Sequence, residues 1–189
     1  MDKPSTHQLA DPSKSLLLIL DIQDRLALSV PGKVLNRVLK NTSLLVRSAN
    51  ILNIPLVVSE HNPAALGATE RTISSNLKNH NIFEKTSFSA AKSTDIMNAV
   101  SSHNRAQIIL AGMEAHICVL QTAIDLMSAG YTVFVVEDSI CSQRLENYQN
   151  ALARLRQSHI TTTCAESVVF EWLGDSENPH FKAVQDIIN

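Results

Sequence analysis

The chain is poor in aromatic residues, at 4% of its 189 residues. That leaves few platforms on which nucleic-acid bases can stack. It has no run of basic residues, and its net charge is −2. Neither a nucleic acid nor an anionic membrane surface is implied as a partner. No apolar run is long enough to span a bilayer; the longest near the start, residues 16–20, is only a strand's length. Cysteine is scarce and odd in number. Cys118, Cys141 and Cys164 show neither C-x-x-C nor metal-ligand spacing, which fits free thiols in a reducing, cytoplasmic setting. Neither G-x-G-x-x-G nor G-x-x-x-x-G-K-[ST] occurs, so a dinucleotide or P-loop fold is not indicated.

What is present is an ordinary globular composition, 44% hydrophobic, in a length that suits one domain. Residues 1–14 are polar and lack the apolar core of a secretory signal. They read as a flexible tail before a single domain at 15–189.

Strand and helix signals then alternate. Residues 16–21 form a continuous apolar run, as in a strand covered on both faces. Apolar residues at 34, 35, 38, 45, 49 and 52 give a helix over 34–52. A short strand follows at 55–59. Residues 60–92 are polar and irregular, with a short helix near 69–77. Ser93 caps a helix over 94–101. A buried strand at 107–111 precedes a helix at 116–129, which Gly130 stops. A strand at 132–137, a helix at 145–158, a strand at 160–164 and helices near 167–173 and 179–188 complete the pattern. This alternation predicts a three-layer α/β/α fold with a mainly parallel sheet. Reactive groups in such sheets gather beyond the carboxyl ends of the strands. Asp21 ends the first strand and Cys118 follows the strand at 107–111, so both fall on one rim.

Cys118 lies in the first turn of its predicted helix, where free N–H groups and the helix dipole favour a thiolate and can bind an oxyanion. A lone core cysteine is otherwise a small hydrophobe. Asp21 is either a proton acceptor or a strand-end cap. Lys85 is either a cation beside the other two or a surface lysine paired with Glu84.

The pieces LDIQ at Asp21, KTSFSA at Lys85 and AGMEAHICVLQTA around Cys118 occur in that order. VVEDSICS and ALARLRQSHITTTCAESVVF extend them. Together they resemble the cysteine hydrolases of the isochorismatase-like family, from about Ser15 to about Trp172. The resemblance implies an Asp21–Lys85–Cys118 triad acting through a covalent acyl-enzyme on a small C–N substrate, an amide or carbamoyl compound, without a cofactor. It places Lys85 at the rim, which the element pattern alone does not. It also implies a cis peptide between Met113 and Glu114, with the backbone N–H groups of Glu114 and Cys118 as oxyanion donors. Lys85 and the helix N-terminus are expected to lower the Cys118 pKa.

Gln23, Phe88 and His116 fall near the substrate pocket by the same resemblance. Gln23 is otherwise a polar loop residue, Phe88 a core contact, and His116 a capping or packing residue. His61 reads as a solvated loop position, and Cys141 and Cys164 as packing residues. Nicotinamidases of the family bind a metal through an Asp and two His residues near the segment SEHNPAALG. Here that segment offers one histidine, so no metal site is expected. True isochorismatases cleave a vinyl ether without a nucleophilic cysteine, so Cys118 points to the poorly characterised branch. Family members are commonly homo-oligomers, and Phe170 and Trp172 are expected to offer apolar surface to a second copy in a dimer or larger assembly. A catalytically silent scaffold or small-molecule binder is the alternative function.

Overall fold

Among the described residues, six strands, all parallel, form one sheet. The computed structural model describes residues 9–77 and 82–188. At the centre, β1 (Ser15–Leu20) is buried at every position. Its odd-numbered leucine and isoleucine face one helical layer and its even-numbered ones the other, because strand side chains alternate. Removing each such side chain from water contributes about 1.5–3 kcal/mol. A short helix α1 (Asp24–Ala27) leads to the long α2 (Gly32–Leu52). Next come β2 (Leu56–His61), two single-turn helices α3 (Pro63–Leu66) and α4 (Arg71–Ser74), and β3 (Ile82–Lys85).

A 3₁₀ turn (Ala90–Lys92) precedes α5 (Thr94–Ser102), whose Ser93 N-cap accepts from the Ile96 N–H. The second half runs β4 (Gln107–Met113), a π-helical turn (Ala115–Val119), α6 (Leu120–Ser128), β5 (Thr132–Cys141), α7 (Leu145–Gln157), β6 (Thr161–Thr163), α8 (Ala165–Leu173) and α9 (Phe181–Ile188). Leu45 and Val46 of α2, Trp172 of α8 and Val184 of α9 form the core on one face. Ile96 of α5, Ala123 and Leu126 of α6, and Leu155 of α7 form it on the other. The strands stand in the order β3-β2-β1-β4-β5-β6, and the predicted three-layer α/β/α architecture is present.

Several local expectations change. β3 arises inside the stretch read as irregular, and residues 78–81 of that stretch lie outside the described residues. β5 runs four residues past the expected end at 137, because a bulge absorbs the polar Glu137-Asp138 pair and the strand resumes with Ile140 beside Gly112. The expected tail is partly packed. Ala10 is buried, its N–H donates to Glu171, and the Asp11 N–H donates to the Gln107 side chain; residues 1–8 lie outside the described residues. Trp172 offers no surface: it is 1% exposed and its indole N–H donates to Ser15 Oγ. Phe170 remains exposed.

Candidate active site

The strand order reverses between β1 and β4, and in parallel sheets the crevice at that reversal is where ligands bind. Asp21 leaves the end of β1 and Cys118 follows β4 by one turn, so both sit at this point. The two strands approach closely there. Gly112 has φ +139°, and a Cβ on it would stand 2.1 Å from the Leu20 carbonyl oxygen. Only glycine fits that contact.

Asp21 takes a left-handed conformation (φ 53°), one that aspartate tolerates. Its side chain is fully buried and its Oδ1 accepts from Ser59 Oγ at 2.7 Å. Lys85 arrives from the last position of the edge strand β3. Its Nζ donates to Asp21 Oδ2 at 2.6 Å and to the carbonyls of Ser87 (3.2 Å) and Phe88 (3.3 Å). The same nitrogen lies 3.8 Å from Cys118 Sγ. Lys85 is thus no surface lysine, and the ammonium spends its donors on the carboxylate and on a loop that the small residues Ser87 and Ser89 let turn. The three residues singled out in the sequence converge in space.

The electrostatics of the thiol differ from expectation. Burial pushes the Cys118 pKa up to about 12; the Asp21 charge and its hydrogen bond to the thiol add to this, and Lys85 opposes it. Cys118 is 6% exposed, and it lies in the π-helical turn rather than in the first turn of α6. Desolvation and the adjacent carboxylate outweigh the lysine and the dipole. Burial beside the Asp21 carboxylate thus holds the thiol proton more tightly than in a free cysteine.

Gln23 is fully buried, not part of a pocket surface. Its Nε2 donates to the carbonyls of Gly67 (2.6 Å) and His61 (3.2 Å), and its Oε1 accepts from the His61 N–H (2.8 Å). It fastens the end of β2 and the following loop to the end of β1. Phe88 is half-exposed and stacks on His61, with ring centroids 5.4 Å apart. His61 is therefore no solvated loop residue: its Nδ1 is buried. Both nitrogens of His116 face protein groups, Ser142 Oγ at 2.9 Å from Nδ1 and Asn147 Nδ2 at 3.3 Å from Nε2. His116 is thus tied by its ring to residues 142 and 147. The Met113–Glu114 peptide is cis.

Ser59 is the residue that sequence reasoning missed. Its only signal is register: it pairs with Leu20, one residue before Asp21, across the parallel β1–β2 ladder. Cys118, Cys141 and Cys164 are all free thiols. Among the described residues no three His, Cys, Asp or Glu side chains come together as a metal-holding group, and no helix is long and apolar enough to cross a membrane.

This chain matches the isochorismatase domain over residues 15–167. The secreted isochorismatase effector Isc1 of Phytophthora sojae is 34% identical, with 94% of this chain and 85% of that protein covered. A solved structure described as MAR1 ribonuclease from Caenorhabditis elegans superposes with a TM-score of 0.90 at 32% identity, covering 96% of this chain and 92% of that one. The YcaC gene product of Escherichia coli, described as an octameric hydrolase of unknown specificity, shares the fold with a TM-score of 0.86 at 19% identity, covering 99% and 97%. The domain match over most of the chain, a relative at 34% identity and the shared six-stranded parallel architecture make this chain a member of the isochorismatase family of hydrolases.

Proposed function

We propose that the chain is a cysteine hydrolase of small C–N substrates, amides or carbamoyl compounds, acting through Asp21, Lys85 and Cys118. The observation that carries this reading is the convergence of a buried thiol, a carboxylate and an ammonium at the topological switch of the sheet. Cys118 Sγ attacks the carbonyl carbon while Asp21 takes the thiol proton. The backbone N–H groups of Glu114 and Cys118 receive the oxyanion. The tetrahedral intermediate collapses, the C–N bond breaks, and the proton on Asp21 leaves with the amine. Asp21 then deprotonates water, which attacks the thioester, releases the acid and returns the proton to sulfur. Lys85 holds the carboxylate and offsets the charge that builds beside it. This cycle balances without a cofactor.

Phe88 stacked on His61 walls the entrance, whereas Gln23 and His116 support the site from behind. We take residues 15–189 as one domain working in a reducing, cytoplasmic compartment, consistent with three free thiols. We also take the functional unit to be a homo-oligomer, as for the Escherichia coli protein of this fold. Isc1 is described as secreted; fractionation of the source cells, with this chain recovered among cytoplasmic proteins, is the expected result.

The experiment is a screen of amides, carbamates and ureas for released ammonia or amine, run beside Cys118→Ala with its thermal melt. Activity lost in a folded Cys118→Ala supports the reading. Full turnover in that variant refutes it, and Asp21 reverts to a strand-end cap. A second reading, cleavage of RNA, draws on the Caenorhabditis relative. A single-stranded RNA arm tests it, and cleavage that survives Cys118→Ala would separate it from the thiol.

A further inference from the structure

Next to the nucleophile in the chain, the side chains of Glu114 and His116 belong to a polar cluster that the proposed cycle does not use. Glu114 joins β4 to the π-helical turn and is 7% exposed. Its Oε2 accepts from the Gln143 N–H at 3.2 Å and lies 3.5 Å from His116 Nδ1. His116 Nδ1 is 2.9 Å from Ser142 Oγ, and its Nε2 is 3.3 Å from Asn147 Nδ2. Asn147 Nδ2 can only donate, so Nε2 accepts and the ring proton sits on Nδ1. There it faces the Ser142 hydroxyl and the Glu114 carboxylate. One imidazole therefore ties residues 114–116 to the segment that leaves β5 and to the first turn of α7.

We propose that His116, with Ser142 and Asn147, is a positioning device for the oxyanion site: it fixes the backbone of residues 114–118, and so the N–H groups of Glu114 and Cys118, without touching the reacting atoms. The inference rests on the cysteine-hydrolase reading above. Its chemical content is selective. A carbonyl substrate develops an oxyanion and needs those donors in place. Displacement of iodide from iodoacetamide by the same sulfur develops none.

The test compares two reactions at Cys118: acetylation by p-nitrophenyl acetate, followed as the p-nitrophenolate release that Cys118→Ala abolishes, and alkylation by iodoacetamide, followed by peptide mass. His116→Ala should slow acetylation by about 10²-fold, the loss expected for donors misplaced by about an ångström. Its alkylation should keep the wild-type rate, which also shows that the turn is intact. His116→Asn should restore most of the acetylation, because its amide nitrogen occupies the Nδ1 position and can reach Ser142. His116→Gln, which reaches toward Asn147 instead, should not. Equal losses in both reactions would make His116 a merely structural residue and overturn the proposal, as would acetylation of His116→Ala at the wild-type rate. Failure of the underlying reading looks different. There the wild-type thiol would alkylate but not acetylate, with no variant needed to see it.

Discussion

Replacing Asp21 by asparagine should make Cys118 more reactive toward iodoacetamide while making the enzyme nearly inactive. The thiol is held near pKa 12 by burial and then by the Asp21 charge, with Lys85 pulling the other way. At pH 8 only a small fraction of the thiol is then ionised. The asparagine would keep the shape and remove the charge, leaving the Lys85 ammonium, 3.8 Å from the sulfur, unopposed. A charge this close moves a neighbouring pKa by roughly 1–3. Each step of one raises the thiolate fraction tenfold, but a less basic thiolate is a weaker nucleophile. With a Brønsted slope near 0.4–0.5 the net gain in alkylation is about 3–50-fold. Turnover should move the opposite way, falling about 10²–10⁴-fold with the loss of the general base. The assay is iodoacetamide labelling between pH 6 and 10, read by peptide mass. Cys141 serves as an internal standard: burial also pushes it up to about 12, but its charged neighbours are Glu114 and Arg37, so its rate should not change. Slower labelling of Cys118 in Asp21→Asn would refute the reasoning. It would mean that Asp21 already holds the sulfur's proton in the resting enzyme.

Lys85→Met leaves the Asp21 carboxylate buried without its cation and should cost about 3–5 kcal/mol in urea unfolding, or about 6–20 °C in Tm. The double variant with Asp21→Asn should recover most of that loss, and strict additivity would argue against the pair. Gly112→Ala drives a methyl group into the Leu20 carbonyl and should destabilise by more than about 1 kcal/mol; an unchanged melting curve would contradict the close approach. Gln23→Ala should weaken the hold on residues 61–67 by about 1–3 kcal/mol, seen as faster hydrogen exchange at the His61 amide. Light scattering at micromolar concentration should give at least a dimer mass.

The architecture was legible because β1 and β4 hold short apolar runs, residues 16–20 and 108–111, that fit strands covered on both faces and alternate with helical patterns. The same pattern placed Asp21 and Cys118 on one rim. β3 was illegible for the converse reason. It is a four-residue edge strand in which only Lys85 is buried, so hydrophobicity does not mark it. The end of β5 was hidden by Glu137 and Asp138, whose bulge gives them work outside the ladder: Glu137 pairs with Arg156 and Asp138 accepts from the Ala165 N–H. The direction of the Cys118 pKa shift depends on how deeply the sulfur is buried beside Asp21, and that distance in space has no trace in local sequence. Trp172 likewise looked like surface until Ser15, 157 positions away, supplied the partner for its indole.

The strand order divides the chain at the loop after α5: β1, β2 and β3 come from the first part, and β4, β5 and β6 from the second. The seam between the parts is the β1–β4 ladder, which joins residues such as Leu16 and Ile108. Asp21, Ser59 and Lys85 stand on one side of this seam and Cys118 on the other. Neither part alone carries a complete reactive centre. During synthesis the acid and the cation emerge long before the sulfur, which meets them only when the late strand closes against the early one. Two fragments cut near Asn104 would each be inert, and activity regained on mixing them would count the closed seams directly.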